Sequence, residues 1–358
     1  MLQMTKKILP LSLALSLILF LFPVSALAQD YSCGEDSKFP EVEAPKLLMV
    51  DQDGFVYLDR DSHKPSKIAS LTKIMTAICT FELLNQGYAS QEDILTVSEN
   101  AAEVGESTSN FKQNDKLSLH DTIVGMMVSS GNDAATVLAE SLNSAAGQYL
   151  EKAGSDIQAP SNTKPYYSDF VRLMNFMGSK LELEDSLFEN PHGLDLDQFQ
   201  GNLHSTASDV IKMAKFIMQN PDFASIVNMQ TAQLNIDRGG STFVDELSST
   251  NLLLFNYQGV CGIKTGFTED AGECFCGAVD LEGQRLYSVV LGCSSSEQRF
   301  RDTTSMYNWY YRHVREVKLC DTKTKIDKKK VLAYLPHFEY YIGLLLLHLF
   351  FLLLLFLS

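Results

Sequence analysis

Lys46-Leu-Leu-Met-Val-Asp51-Gln-Asp-Gly54-Phe-Val-Tyr-Leu58 is two apolar runs folded around an Asp-Gly, a hairpin signal near the start of the chain. Its counterpart lies over two hundred residues later. From Asn251 onward the texture is again short strands, at 259–266, 272–280 and 285–293, the last two joined across Glu282-Gly283. Between these ends the patterning is helical. Leu71, Ile74, Met75, Ile78, Phe81 and Leu84 recur at three and four, and similar patterns run over 118–142, 168–181 and 206–219. The polar stretch Ser144 to Tyr167, with Gly154, Pro160 and Pro165, reads as an exposed loop, and 295–318 reads as a closing helix. A sheet drawing strands from both ends, with a helical region inserted between them, satisfies this order. The expected class is α/β (α+β), with the cleft where the two regions meet.

Outward from that core, composition narrows the class. The chain has 358 residues, 45% hydrophobic and 20% charged, with 29 Lys plus Arg against 44 Asp plus Glu and a net charge of -15. Such a balance builds a substantial core, and its acidity makes nucleic acid phosphates and anionic lipid poor partners. The ends depart from this average. Lys6 and Lys7, the apolar run Ile8 to Phe22 and Ala26-Leu27-Ala28 form the pattern of a secretory signal peptide over 1–28, cleaved after Ala28. Residues 29–44 are then an N-terminal segment, 45–318 the catalytic domain, and 319–341 a lysine-rich linker. Ile342 to Leu357 is apolar but for Gly343 and His348, and 342–358 reads as a hydrophobic C-terminal membrane anchor. As a helix it covers ~24 Å, short of a ~30 Å hydrocarbon core, so it either spans poorly or lies in the interface. The expected location is extracytoplasmic, on the outer face of the cytoplasmic membrane.

Seven cysteines (33, 79, 261, 274, 276, 293, 320) are too sparse for a disulfide framework and lack histidine at ligand spacing. They read as small core residues, with one disulfide left open; no metal and no cofactor is expected.

Three short motifs carry the chemistry. Ser70-Leu-Thr-Lys73 puts a hydroxyl and an amine one helical turn apart on one face. The hydroxyl becomes a nucleophile only if a base takes its proton, and lysine serves if burial or a second cation lowers its pKa. Alone, the same residues also suit an N-cap serine and a surface lysine. Ser130-Gly131-Asn132 follows the apolar stretch Ile123 to Val128 at a helix-to-helix turn, and Lys264-Thr265-Gly266 lies on a strand. In this order the three mark penicillin-binding proteins and related β-lactamases.

The chain resembles the low-molecular-mass penicillin-binding proteins, the serine-type D-alanyl-D-alanine carboxypeptidases of peptidase family S11, over roughly 45–318. The likeness rests on Ala69-Ser-Leu-Thr-Lys-Ile-Met-Thr-Ala77, Ser130-Gly-Asn-Asp-Ala-Ala135, Phe188-Glu-Asn-Pro-His-Gly-Leu194, His204-Ser-Thr-Ala-Ser-Asp209 and Gly262-Ile-Lys-Thr-Gly-Phe-Thr268. It implies a β-lactamase/DD-peptidase-like fold, an antiparallel sheet flanked by helices with an inserted helical subdomain. It implies a stem peptide ending in D-alanyl-D-alanine as substrate and β-lactams as inhibitors. Ser70 would attack, Lys73 act as base and Ser130 relay the proton. Asn132 would donate to the substrate amide and hold Lys73, while Lys264 and Thr265 face the terminal carboxylate and Gly266 beside them lines the substrate site. The N–H of Phe267 would complete an oxyanion hole with that of Ser70. Arg299, thirty-five residues beyond Lys264, matches an auxiliary arginine of the family or is a helix-surface residue paired with acids. The Phe267 side chain, His192 and Asn190 are expected to be structural.

Two departures from the family stand out: a long loop at 144–167, and too few residues between Asp321 and Tyr341 for the β-rich domain that many relatives carry. Alternative readings are a β-lactamase, an endopeptidase or transpeptidase on the same fold, and a non-enzymatic wall-binding protein. A class A β-lactamase positions water with Glu-x-x-x-Asn between the second and third motifs, and no acid there has Asn four residues on. The only such pair, Glu106 and Asn110, precedes Ser130, so the penicilloyl-enzyme is expected to be long-lived.

Overall fold

The two ends of the chain meet in one sheet. In the structure, a computed structural model describing residues 39–314 other than 282, strands β1 (Lys46–Asp51) and β2 (Val56–Arg60) form the N-terminal hairpin. β1 pairs antiparallel not only with β2 but with β9 (Gln284–Cys293), in the register Lys46 with Leu291 through Asp51 with Leu286. β8 (Gly272–Leu281) and β7 (Val260–Thr268) complete the order β2-β1-β9-β8-β7. β8 and β9 are buried along most of their length because both faces are covered. One face carries the closing helix Ser296–Trp309, where Phe300 meets Phe275 edge-on at 5.4 Å and Tyr307 shares a 2.7 Å hydrogen bond with Ser288.

The other face carries the helical region. Its helices are α1 (Lys73–Asn85), α2 (Glu99–Ala102), α3 (Leu119–Val128), α4 (Asn132–Ser141), α5 (Asn143–Lys152), α6 (Ser168–Lys180), α7 (Ala207–Ile217) and α8 (Pro221–Val227). A short helix, α9 (Leu253–Asn256), precedes β7, and the closing helix is α10. α1 runs through the middle and is buried on nearly every side, against α4, α6 and α7. Its interior polar groups are satisfied locally: Thr76 donates to the Pro191 carbonyl at 2.6 Å and Thr80 to the Thr76 carbonyl at 2.9 Å. One apolar cluster joins Leu48, Val289 and Leu291 of the sheet to Ile74 and Ile78 of α1 and Met213 of α7.

Two expectations need correction. Residues 144–167 are not a loop throughout. Asn143–Lys152 is helix α5, with Ala146 and Leu150 buried at helical spacing, and Tyr167 is itself buried; Gly154, Pro160 and Pro165 lie beyond the helix and disguised this pattern. The inserted region is also not purely helical. It holds a second sheet in the order β3 (Ile94–Thr96), β4 (Lys116–Ser118), β5 (Thr231–Arg238), β6 (Ser241–Ser248). The closing helix ends at Trp309 and passes into a wider turn at Tyr310–Val314. The segments 1–28, 319–341 and 342–358, with Cys33 and Cys320, lie outside the described residues. Among the described residues no helix is long and apolar enough to cross a membrane, and Cys79, Cys261, Cys274, Cys276 and Cys293 are free thiols.

Candidate active site

Ser70 sits in a tight turn, Ala69–Thr72, that feeds directly into α1. Two backbone segments press against this turn, and both do so as glycine. At Gly193 φ is +89°, and a Cβ there would stand 1.9 Å from the Ala69 carbonyl oxygen. At Gly266 on β7 a Cβ would lie 3.0 Å from both the Ser70 nitrogen and the Ile68 carbonyl oxygen. The nucleophile turn is thus wedged between the sheet edge and the Asn190–Leu194 loop.

Lys73, one turn on, is fully buried. Its Nζ lies 2.8 Å from Ser70 Oγ, 2.7 Å from Asn132 Oδ1 and 3.0 Å from the His192 carbonyl. The Asn132 amide orientation is set independently, because Nδ2 donates to the Gly105 carbonyl at 3.0 Å. Two of the three neighbours can therefore only accept. When the amine is neutral its two hydrogens go to them, and its lone pair is left for the Ser70 hydroxyl. Burial lowers the Lys73 pKa to about 7, against the opposing pull of Asp133. That carboxylate accepts from the backbone N–H groups of Ser109, Phe111 and Ala134, so it organises the loop before α3.

Ser130 occupies the turn between α3 and α4 in the left-handed region, φ +68°, and is buried. Lys264 on β7 is buried too, its Nζ donating to the Thr265 carbonyl at 3.0 Å. Burial, reinforced by the positive charges of Lys73 and Arg299, holds its pKa well below the ordinary lysine value. The Ser70, Lys73, Asn132 and Lys264 side chains, far apart in sequence, thus share one electrostatic neighbourhood.

Arg299 is not a helix-surface residue. It is buried under the third motif, where Nη1 donates to the Gly266 carbonyl at 3.1 Å and pairs with Glu273. It does meet an acid, as expected, but from inside. Phe267 is a second correction: the residue is 53% exposed and lines a cleft with Leu194, Phe199, Glu106 and Glu269. The strand turns this position outward, so packing does not explain it. Asn190 builds its turn as anticipated, Oδ1 accepting from Gly193 N at 2.7 Å and Nδ2 donating to the Leu194 carbonyl at 2.9 Å. His192 is buried against Phe199, but its carbonyl serves Lys73, a role that turn chemistry alone did not reveal. Asp133 and Glu273 were also missed; the acid next to Ser-Gly-Asn was the available signal for the first.

The sequence profile of the D-alanyl-D-alanine carboxypeptidase family, peptidase family S11, matches residues 34–158 and 165–295. The D-alanyl-D-alanine carboxypeptidase DacF of Bacillus subtilis is 27% identical over 321 residues, covering 89% of this chain and 75% of its own. DacD of Escherichia coli is 28% identical over 301 residues, covering 82% and 69%. In fold, the chain is similar to the Streptomyces K15 DD-transpeptidase, with TM-score 0.67 and 24% identity over 76% of this chain and 99% of that one. The chain belongs to the D-alanyl-D-alanine carboxypeptidase family.

Proposed function

We propose that this chain is a serine carboxypeptidase that removes the terminal D-alanine from peptidoglycan stem peptides through an acyl-enzyme on Ser70. The observation that carries the assignment of roles is the Lys73 amine, buried, depressed to about 7 and 2.8 Å from the Ser70 hydroxyl. In its neutral form it takes the Ser70 proton as Oγ bonds to the penultimate carbonyl carbon. The oxyanion that forms is met by the N–H groups of Ser70 and Phe267; the close approach of Gly266 to the Ser70 nitrogen supports this pairing. Ser130, whose hydroxyl both donates and accepts, passes the proton to the departing D-alanine nitrogen. Water then attacks the ester, its proton returning to Ser70 Oγ and its hydroxyl ending on the shortened peptide.

The terminal carboxylate is the partner of Lys264 and Thr265. In the free site two cations and burial oppose charge on Lys264, and an arriving carboxylate reverses that balance, so charge on the lysine is tied to substrate. Arg299 steadies the same strand through Gly266, and Asn132 retains a second Nδ2 hydrogen for the substrate amide. A β-lactam enters by the same route and leaves a long-lived acyl-enzyme, since no Glu-x-x-x-Asn lies between the second and third motifs. Residues 1–28 support export and the apolar 342–358 supports anchoring at the outer face of the membrane, with 45–318 as the catalytic domain and 319–341 as linker.

The test is release of D-alanine from a pentapeptide ending in D-alanyl-D-alanine. Wild type releases it and Ser70→Ala does not, and a fluorescent penicillin labels only the former. Labelling without release would point to a non-hydrolytic binder; many penicillins hydrolysed per second would point to a β-lactamase.

A further inference from the structure

Thr265 has a neighbour that the motifs do not contain. Thr250 Oγ1 lies 2.6 Å from Thr265 Oγ1, and its backbone N–H donates to the Val128 carbonyl at 3.2 Å, two residues before Ser130. One residue therefore touches both walls of the cleft: the end of α3 that leads into Ser130 and the strand bearing the third motif. It is held firmly itself. On its N-terminal side Ser249 N donates to the Gln230 carbonyl at 2.8 Å. On its C-terminal side Asn251 N donates to Ser249 Oγ at 3.2 Å, and Asn251 Oδ1 accepts from Leu253 N at 3.1 Å at the start of α9.

A hydroxyl has one proton to give, and a carboxylate only accepts. If Thr265 is to donate to the substrate carboxylate, it cannot also donate to Thr250, so the proton between the two hydroxyls must belong to Thr250. We infer that Thr250 is a positioning residue for carboxylate recognition: it donates to Thr265, frees the Thr265 proton for the substrate carboxylate and polarises it. Chains of hydrogen bonds directed this way reinforce one another. The inference rests on the proposed role of Lys264 and Thr265, and it concerns affinity for one substrate group, not the chemistry at Ser70.

The experiment compares the second-order rate of Ser70 acylation by a penicillin with its carboxylate free and by the methyl ester of the same penicillin. Wild type is expected to prefer the acid strongly. In Thr250→Val the acid-to-ester ratio falls about tenfold, as loss of one link in a hydrogen-bonded chain to a charged group implies. Thr250→Ser, which keeps the hydroxyl, restores the ratio. For the peptide, the loss appears mainly in KM. A purely structural Thr250 would lower both rates together and leave the ratio unchanged, and that result overturns the inference. Thr250→Ala, also lacking the hydroxyl, gives the same reading should the valine variant fold poorly. Equal acid and ester rates in wild type would instead sink the carboxylate role of Lys264 and Thr265, a distinguishable failure that takes Thr250 with it.

Discussion

The groups around the Lys73 amine decide what it can do. Asn132 Oδ1 and the His192 carbonyl only accept, so a neutral amine points its lone pair at Ser70 and a charged one gives its third hydrogen there. Only the neutral form is a base, and it is formed as pH rises through the Lys73 pKa of about 7. Acylation by a fluorescent penicillin is therefore expected to climb through neutral pH to a plateau, running about tenfold below it one pH unit under the midpoint. A rate flat from pH 5 to 9 would remove Lys73 as the base. Lys73→Arg keeps the charge and cannot lose it, and should cost roughly 10²–10⁴-fold in that rate. At this scale the spacing of Ser70 and Lys73 was legible, but alone it suited a cap serine and a surface lysine equally, and only the second and third motifs in order gave it a chemical reading. Asp133 and the His192 carbonyl act on Lys73 across the fold, and no local pattern reports that. Phe267 misled for a different reason: an apolar side chain was assumed to be inside, whereas β7 turns it into the cleft.

Elements hold the site by contact between backbones. The Asn190–Leu194 turn can reach the Ser70 turn only because residue 193 lacks a side chain and adopts φ +89°. Gly193→Ala meets both obstacles, a strained φ and a Cβ 1.9 Å from a carbonyl oxygen that belongs to the nucleophile turn. It should destabilise the protein by at least ~3 kcal/mol and, in whatever fraction folds, displace the His192 carbonyl and slow acylation. Thermal unfolding and penicillin labelling measure the two effects, and an alanine variant with wild-type values in both would show that the turn has room to move. β1, β8 and β9 were legible because they are largely apolar runs buried along most of their length, whereas the exposed edge strand β2 was read from the Asp-Gly turn that joins it to β1. β5 and β6 were passed over although Leu234 and Ile236 alternate inward and Gly239-Gly240 marks their turn. β6 offers no such alternation, since Phe243 and Val244 are exposed and only Leu247 is buried, and the partners β3 and β4 are only three residues each, below the length at which alternation means anything. In α5 the opposite happened, with Gly154, Pro160 and Pro165 beyond the helix outweighing the helical spacing of Ala146 and Leu150.

Over the molecule as a whole, the groups proposed to act on the substrate are divided between regions: Lys264 stands on the sheet, Ser130 and Asn132 at the head of α4, and Ser70 and Lys73 where the two meet. The hydrogen bond of Asn132 to Lys73 at 2.7 Å and the electrostatic effect of Lys73 on Lys264 demand that neither region move independently. The architecture supplies this in two ways. β1 is stitched into the sheet by β9, and the buried Asp302 on α10 accepts from the backbone N–H groups of Glu43 and Ala44, at 3.0 and 2.8 Å, so the two ends of the described chain are fastened together. The helical region shares one continuous apolar cluster with the sheet, without a boundary between them. The order of strands, helices and strands foretold the first feature, but not whether the inserted region keeps a core of its own. A shared core predicts a single cooperative transition. Two probes report on different parts: Trp309, the one tryptophan of the chain, sits on the closing helix over the sheet, while far-ultraviolet circular dichroism is dominated by the inserted helices. Their denaturant midpoints should coincide. Separate midpoints would mean that the helical region can detach while the sheet stands, and the Ser70–Lys73 geometry would then depend on a docking equilibrium.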